Sequence, residues 1–304
     1  MSTPTHEDGS IDRAVLSRRL LIAAALSVGV AGFAYLLMVR TSLGQRFDNA
    51  ALIGSFQQSE SARINDGFFV AKASATVFFL ALLTAVGVGV VRHRPRIGWT
   101  LAVTAVVSVL VTHALKVNVL TRPMLAASDQ VVSAYNTYPS GHTATAVAAA
   151  MILVVVSPPA ARGLVAVLAG AYASVIAQDV QTAGWHRPSD AIGAAFVVFA
   201  IVAVVAAVLA RRRPVGRAAP RTNAIAYPVL AVAGLTSGLF SAINAARALN
   251  TLRKTSDTAA VTPSLRNDAH YFSISLTVLV VASLLAVLLA LLGSADLDEP
   301  ADPN

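Results

Sequence analysis

The chain has 304 residues, of which 56% are hydrophobic and 12% are charged, and its formal net charge is +8. So few charged residues cannot cover the surface of a water-soluble domain, which excludes an ordinary soluble protein and predicts an integral membrane protein. The positive charge does not indicate nucleic-acid binding, because the cations gather where apolar runs end and lack interleaved aromatic residues. Without cysteine, the chain can form no disulfide, thiolate nucleophile or thiolate metal site.

Eight apolar runs predict an all-α fold, a polytopic bundle of membrane helices, because about 20 apolar residues carry a helix across the hydrocarbon core. In chain order, the predicted spans are 20–39, 71–91, 98–118, 142–157, 163–183, 189–210, 227–247 and 272–293. The first run is longer than the apolar part of a cleavable signal peptide, so we expect a span there. The fourth is short because Pro158 and Pro159 end it, and it needs tilt or an extension toward His142 to cross.

The spans predict one bundle with polar ends rather than a series of separate domains. We divide the chain into a transmembrane core that carries the functional residues, an additional two-helix membrane hairpin, a basic linker between them and two polar tails. The predicted bounds are 1–17 for the cytoplasmic first tail, 18–210 for the core, 211–226 for the cytoplasmic linker, 227–293 for the hairpin and 294–304 for the last tail.

Basic residues beside the spans predict the orientation, since loops rich in lysine and arginine tend to stay in the cytoplasm. Alternate span ends carry arginines, namely Arg13, Arg18, Arg19, Arg92, Arg94, Arg96, Arg162, Arg211, Arg212, Arg213, Arg217 and Arg221. With these in the cytoplasm, both termini are cytoplasmic, and segments 122–142 and 184–190 lie together on the other side of the cell membrane. The loops predicted at 40–70 and 248–271 share that side and weaken the charge contrast, because they hold Arg40, Arg46, Arg63, Arg253, Lys254 and Arg266.

The tetrapeptide Pro139-Ser140-Gly141-His142 is typical of a helix start that binds an anion. Ser140 is a suitable N-cap, Gly141 lets the backbone approach a ligand, and the first N–H groups of the helix point at whatever lies there. His142, at the same end, can donate a proton to a leaving alkoxide. The alternative is a helix cap beside an interfacial histidine that has no chemical role.

A second histidine is followed by a carboxylate at helical spacing. Pro188 favours the first turn of a helix, and Asp190 within that turn would reach the imidazole of His186. An aspartate that binds one ring nitrogen fixes the tautomer and leaves the other nitrogen as a nucleophile. The alternative is a capping aspartate with an incidental histidine.

Two cations lie at the end of the third predicted span. Lys116 and Arg122 can hold a phosphoryl group, the arginine through its planar fork and the lysine as a point charge. Each could instead extend to lipid headgroups. Their presence beside both histidine segments favours a phosphate site.

Together, these residues predict in-line phosphoryl transfer. His186 would attack phosphorus, His142 would protonate the departing oxygen, and the cations and N–H groups would hold the remaining oxygens. Water would then hydrolyse the phosphohistidine. The sequence has no evident cluster of carboxylates typical of a magnesium site, so we expect no metal and no other cofactor.

The motifs resemble those of the type 2 phosphatidic acid phosphatase (PAP2) family over about residues 71–210. That family has a lysine with a following Arg-Pro, a Pro-Ser-Gly-His, and a Ser-Arg with a downstream histidine and aspartate. The resemblance implies a six-helix membrane core, to which the last two spans are an addition. It also implies the site roles, which are phosphate binding by Lys116, Arg122, Ser140 and Gly141, proton donation by His142, nucleophilic attack by His186 and support from Asp190.

Two positions depart from the family pattern. The lysine usually lies one residue farther from the arginine, at the position of Leu115, so Lys116 would reach the site from a shifted helical angle. The Ser-Arg of the third motif would fall on Asp179 and Val180, and a valine cannot bind phosphate. Arg187, next to the nucleophile, is either a substitute phosphate ligand or a headgroup anchor.

We therefore expect a membrane phosphatase that acts on a lipid such as phosphatidic acid, phosphatidylglycerophosphate or a polyprenyl phosphate or diphosphate, with no nucleic-acid partner. The phosphate would be removed at the extracytoplasmic leaflet of the cell membrane while the lipid chains remain in the bilayer. A lipid phosphotransferase with the same intermediate is the first alternative, with acceptor specificity in segments 40–70 and 248–271. A catalytically inactive lipid-phosphate binding protein, suggested by Val180 and the shifted lysine, is the second.

Overall fold

The computed structural model describes residues 13–57, 59–125, 135–212, 216–217, 224–255, 261–292 and 295–296. Within these ranges the chain forms nine α-helices, two of which continue into a π-helical turn, and one pair of two-residue strands. The helices are α1 (Arg13–Ala34), α2 (Ser42–Ser55), α3 (Glu60–Val91), α4 (Pro95–Ala114), α5 (Gly141–Val156), α6 (Pro159–Thr182), α7 (Pro188–Arg212), α8 (Ala226–Lys254) and α9 (Pro263–Leu292). The π-helical turns are Tyr35–Val39 after α1 and Leu115–Val119 after α4, and the strands β1 (Gly216–Arg217) and β2 (Ala295–Asp296) pair antiparallel.

Much of the predicted tails and linker lies outside the described residues. This holds for 1–12 of the first tail, for 213–215 and 218–223 of the basic linker, and for 294 and 297–304 of the last tail. The boundaries drawn between core, linker and hairpin stay a prediction.

The predicted all-α polytopic bundle is confirmed. Seven helical segments among the described residues are long and apolar enough to cross a membrane, and these are Arg13–Val39, Arg63–Val91, Pro95–Val119, Pro159–Thr182, Pro188–Arg211, Ala226–Lys254 and Pro263–Leu292. They correspond to seven of the eight predicted spans. The chain is therefore a multi-pass membrane protein.

The remaining predicted span is α5, a short apolar helix at the centre of the bundle. Its 16 residues measure about 24 Å at 1.5 Å per residue, which is less than the roughly 30 Å of hydrocarbon in a bilayer. α5 packs against α3, α4, α6 and α7, and most of its side chains are buried. Its many alanines let the neighbouring backbones approach closely. The first residue of α5, Gly141, is therefore held at the middle of one end of the bundle.

Segment 40–70, predicted as a loop, contains the buried helix α2. Thr41 caps this helix by accepting a hydrogen bond from the N–H group of Gly44 at 3.0 Å. α2 packs mainly against α9 and also contacts α6, α7 and α8. A search for apolar runs misses it, because polar residues occupy its middle, namely Gln45, Arg46, Asp48 and Asn49. The other predicted loop, 248–271, is also largely helical, since α8 ends at Lys254 and α9 begins at Pro263.

The hairpin of α8 and α9 packs on the rest of the bundle through α9. Gln181 of α6 is buried, donates a hydrogen bond to the Thr277 hydroxyl at 2.8 Å and accepts one from the Ser273 hydroxyl. Gln178, one turn earlier, donates to the carbonyl oxygen of Ile274 at 3.1 Å. These polar contacts fix α9 against α6 where apolar packing alone would permit sliding.

Arg162, which we predicted on a cytoplasmic flank, is buried, with its side chain only 1% exposed. The predicted orientation stays a prediction. Arg162 donates to the carbonyl oxygens of Val154 (3.2 Å) and Ser157 (3.1 Å) at the end of α5, and to those of Leu292 and Ala295 (2.7 Å) at the end of α9. The last carbonyl groups of a helix lack hydrogen-bond donors within the helix. Arg162 provides these donors and so joins the ends of α5 and α9.

Candidate active site

Residues predicted from separate segments lie together at one end of the bundle. The Ser140 N–H group donates a hydrogen bond to the carbonyl oxygen of Asp190 at 2.9 Å, which joins the start of α5 to the start of α7. The ring centroids of His142 and His186 are 6.3 Å apart. The ends of α5 and α9 that Arg162 joins lie at the opposite end of α5. Both predicted histidine segments therefore face the same side of the molecule.

The start of α5 has the geometry of an anion site. Ser140 is the N-cap, and its hydroxyl accepts a hydrogen bond from the N–H group of Thr143 at 3.3 Å. Outside its own helix turn and among the described residues, no atom lies within 4 Å of the position that a Cβ would take on Gly141, so the space beside the first turn is open there. The remaining N–H groups of that turn have no partner within the helix and attract negative charge.

The segment before α5 is anchored by Tyr138 and Asn136. The buried Tyr138 hydroxyl donates to the carbonyl oxygen of Ala31 in α1 at 2.7 Å, and the peptide bond to Pro139 is cis. The Asn136 amide donates to the carbonyl oxygens of Lys116 (3.0 Å) and Tyr138 (3.2 Å). This asparagine therefore ties the lysine segment to the segment that leads into Ser140.

His186 and Asp190 form the pair that the spacing predicts. Nδ1 of His186 lies 3.2 Å from Oδ2 of Asp190, and that carboxylate is fully buried. The same oxygen accepts a hydrogen bond from the Arg187 N–H group at 2.9 Å. Because the carboxylate binds Nδ1, the imidazole keeps its proton there and Nε2 carries the lone pair. The carbonyl oxygen of Val180 accepts the N–H groups of Trp185 (3.0 Å) and His186 (3.1 Å), which fixes the backbone of the histidine.

Trp185 lies beside His142. Its ring centroid is 5.3 Å from that of His142. On its other side the indole packs against α3, since a Cβ on Gly67 would lie 2.6 Å from the ring. The indole is therefore close to both His142 and α3.

Arg122 is buried instead of extending to a headgroup. Its side chain is 4% exposed, and its Nη2 lies 2.8 Å from Oδ2 of Asp48 in α2. Within the described part of the chain, Nη1 of this arginine has no hydrogen-bond partner. One edge of the guanidinium group is therefore fixed by a carboxylate, and the other edge can accept an anion.

Arg187 is also buried, at 1% exposure, so it does not reach a headgroup. Its Nε donates to Oδ1 of Asn49 at 2.8 Å, and its Nη1 donates to the Thr137 hydroxyl at 3.1 Å. Burial lowers the pKa of its guanidinium group, and the nearby charge of Arg122 acts in the same direction. Arg122 binds Asp48 and Arg187 binds the next residue, Asn49, so the two guanidinium groups lie in one buried region. Val180, at the position of the missing arginine, is fully buried in the apolar core.

Lys116 lies in the π-helical turn after α4 and is partly buried. Its charge is close enough to act electrostatically on His142. A π-helical turn has hydrogen bonds between residues five apart instead of four apart as in an α-helix, so it changes the direction of the side chains that follow it. The altered turn coincides with the position where the lysine departs from the family spacing.

No role was predicted for Asp48 and Asn49. Asp48 is fully buried; its Oδ2 accepts from the Ser189 hydroxyl at 2.7 Å, and its Oδ1 accepts from the Ser189 N–H group at 3.2 Å. Burial raises the pKa of the Asp48 carboxyl group, and the charge of Arg122 opposes that effect. An ionisable residue in a membrane chain is costly to bury and therefore indicates function, which is the signal that could have found Asp48.

Among the described residues, no three histidine, aspartate or glutamate side chains come together as a metal site requires. Metal independence stays a prediction.

A family model described as the PAP2 superfamily matches residues 97–214. Neither a curated protein nor a solved structure matches the chain. The matched segment runs from α4 to just beyond α7 and contains every site residue predicted from the motifs. α2, with Asp48 and Asn49, lies outside it.

Proposed function

Because residues 97–214 match a model of the PAP2 superfamily, whose members are generally phosphatases, we propose that this membrane protein hydrolyses the phosphate or diphosphate group of a lipid. We place the reaction at the extracytoplasmic face of the cell membrane, on the argument from flanking arginines. The observation that carries the proposal is the pairing of His142 with His186, 6.3 Å apart, where His186 is bound to the buried Asp190.

In the first step, Nε2 of His186 attacks phosphorus and the bond from phosphorus to the leaving oxygen breaks. His142, protonated at the start, gives its proton to that oxygen, and Asp190 stabilises the positive charge that develops on His186. In the second step, His142 removes a proton from water, whose oxygen attacks phosphorus while the bond to Nε2 breaks. Inorganic phosphate leaves, and both histidines return to their starting states.

Three cations support the charge of the reacting phosphoryl group. Nη1 of Arg122 has no partner among the described residues and can donate to the phosphoryl group. The positive charge of Lys116 acts electrostatically on His142, and Arg187 is next to the nucleophile in the chain. The open N–H groups at the start of α5 add donors opposite the cations. Such preformed donors stabilise a transition state more than they stabilise a solvated substrate.

A lipid substrate is supported by an apolar cavity beside the site. It has a volume of about 310 Å³ and lies between α1, α4 and α7, lined by Val28, Gly32, Leu115, Tyr138, Ala200 and Ile201 among others. Leu115 precedes Lys116, and Tyr138 precedes the Pro139 that opens the central motif, so the cavity begins where the phosphate site ends. A substrate with a phosphate head and an apolar chain fits both parts.

The test is phosphate release by the purified protein from phosphatidic acid, phosphatidylglycerophosphate and polyprenyl phosphate and diphosphate, with and without a chelator. We expect release of inorganic phosphate that survives chelation and disappears in His186→Ala. His113→Ala, an exposed histidine of α4, is the matched control and should stay active. Transfer of the label to another lipid would favour the phosphotransferase, and unchanged turnover in His186→Ala would overturn the assignment.

A further inference from the structure

Polar side chains of α2 are buried against the site, although this helix lies outside the family match. Eleven of its 14 residues are buried, among them Asp48 and Asn49. A buried carboxylate or amide is unfavourable unless other groups satisfy it. The partners of both residues are therefore the clue to the role of the helix.

Asp48 holds Arg122 by one edge. The Asp48 carboxylate accepts a hydrogen bond from Nη2 at 2.8 Å, whereas Nη1 is buried and has no partner among the described residues. The chain around Arg122 is fixed too, since the Gln45 amide donates to the carbonyl oxygen of Pro123 at 2.5 Å and accepts from the Leu125 N–H group at 3.1 Å. The guanidinium group therefore has one orientation, with its free edge defined.

Asn49, the next residue, holds Arg187. Its Oδ1 accepts from Nε at 2.8 Å, while the Thr137 hydroxyl accepts from Nη1 at 3.1 Å. Two contacts on a planar guanidinium group fix both its position and its plane. The guanidinium group of Arg187 is therefore oriented by α2 and by the segment that leads into α5.

The two arginines need an opposing charge while no phosphate is bound. They are near neighbours in a buried region, where like charges repel strongly. Asp48 lies beside Arg122, and its two contacts with Ser189 link it to the start of α7, close to His186. Asp48, together with Asp190, opposes the positive charge of the arginines. Asp48 also joins α2 to the helix that carries Asp190.

We propose that Asp48 and Asn49 are positioning residues of the phosphate site, and that they present Arg122 and Arg187 to the substrate as a pair. Arg187, held by Asn49, does the work of the arginine that the third motif lacks at Val180. This inference rests on the proposed function, since it assigns the two arginines to the phosphoryl group. The phosphate site then needs a helix that the family segment does not contain.

The test measures binding of orthovanadate, a phosphate analogue, to the purified full chain, together with kcat and KM for phosphatidic acid. We expect Asp48→Asn and Asn49→Ala each to weaken vanadate binding about tenfold and to lower kcat/KM by a similar factor, since a well-oriented charged hydrogen bond is lost or displaced. Asp268→Asn and Asn244→Ala are the matched controls, because they make the same changes away from the site.

A double-mutant cycle separates positioning from a general loss of stability. Asp48→Asn should add no further loss of vanadate affinity to Arg122→Ala, and Asn49→Ala should add none to Arg187→Ala, because each acts through its arginine. Additive losses, or unchanged vanadate affinity with a lower unfolding temperature, would mean that α2 only supports the fold and would overturn the inference.

The outcomes also separate this inference from the proposed function. If the native protein releases phosphate, and if Asp48→Asn and Asn49→Ala have native activity and native vanadate affinity, the proposed phosphatase function is retained and the proposed role of α2 is overturned. Vanadate binding without phosphate release would remove the hydrolase, while the affinities of the variants would still decide whether α2 presents the arginines. A native protein that neither binds vanadate nor releases phosphate would overturn both.

Discussion

The imidazole rings of His142 and His186 meet at an interplanar angle of 65° with their centroids 6.3 Å apart, although His142 lies in the first turn of α5 and His186 lies just before α7. The hydrogen bond from Ser140 to the backbone of Asp190 sets this relationship, because it fixes the two helix starts against each other. One phosphorus atom can then have a nucleophile on one side and a proton donor on the other. The following predictions test the parts of that arrangement.

Asp190→Asn should lower kcat by about 10³-fold to 10⁴-fold, the scale seen when an aspartate that orients a catalytic histidine becomes an asparagine. The amide can present an N–H group to Nδ1 and so favour the wrong tautomer of His186. KM should change little, because Asp190 does not contact the substrate. Steady-state kinetics of phosphate release measure both constants, and a kcat within twofold of the native value would contradict the role of the pair.

Gly67→Val should lower kcat roughly tenfold to 100-fold, since small displacements of reacting groups have effects of that size. The new side chain would collide with Trp185, which packs against His142. Gly87→Val is the matched control, because it lies in the same helix and its Cβ would meet no atom within 4 Å. Equal activities in the two variants would show that Trp185 does not position His142.

Gly32→Leu should raise KM for long-chain lipid phosphates by about tenfold and leave a short water-soluble phosphate ester unaffected. The leucine would occupy part of the cavity of about 310 Å³, and burying several methylene groups of a lipid chain contributes about 0.8 kcal/mol each. Gly29→Leu, three residues earlier in α1, is the control, since neither glycine has an atom within 4 Å of its Cβ position. If both variants had the same KM for the lipid, the cavity would not hold the chain.

Arg162→Ala should destabilise the protein by about 3 kcal/mol, because it leaves several buried carbonyl oxygens without a donor. The thermal unfolding temperature in detergent measures this loss, with the exposed Arg211→Ala as control. The kcat of the folded fraction should stay at the native value, since Arg162 lies at the opposite end of α5 from His142. A variant as stable as the native protein would contradict the capping role.

Local patterns in the sequence predict part of the site well. His186 and Asp190 are four residues apart, so a helix start brings them together whatever the rest of the fold does. Ser140 and Gly141 likewise act within one helix turn. Long apolar runs predict the spans for a similar reason, because each helix must satisfy its own backbone in lipid.

Contacts between distant segments could not be predicted from one sequence. Asp48 and Arg122 meet only because α2 packs against the start of α7. A search for apolar runs does not find α2, because its middle is polar. The contacts of Arg162 could not be predicted for the same reason. An arginine between two spans is typical of a cytoplasmic flank, and only the fold shows that the end of α9 lies beside it. The position of Arg187, buried against Asn49, also depends on α2.

The most direct test of the central claim is a rapid-quench experiment with a lipid whose transferred phosphoryl group is radiolabelled. The account predicts a transient, acid-labile and base-stable phosphohistidine that maps to His186 and is missing in His186→Ala. Phosphate release without any labelled histidine, or with the label on another residue, would contradict it.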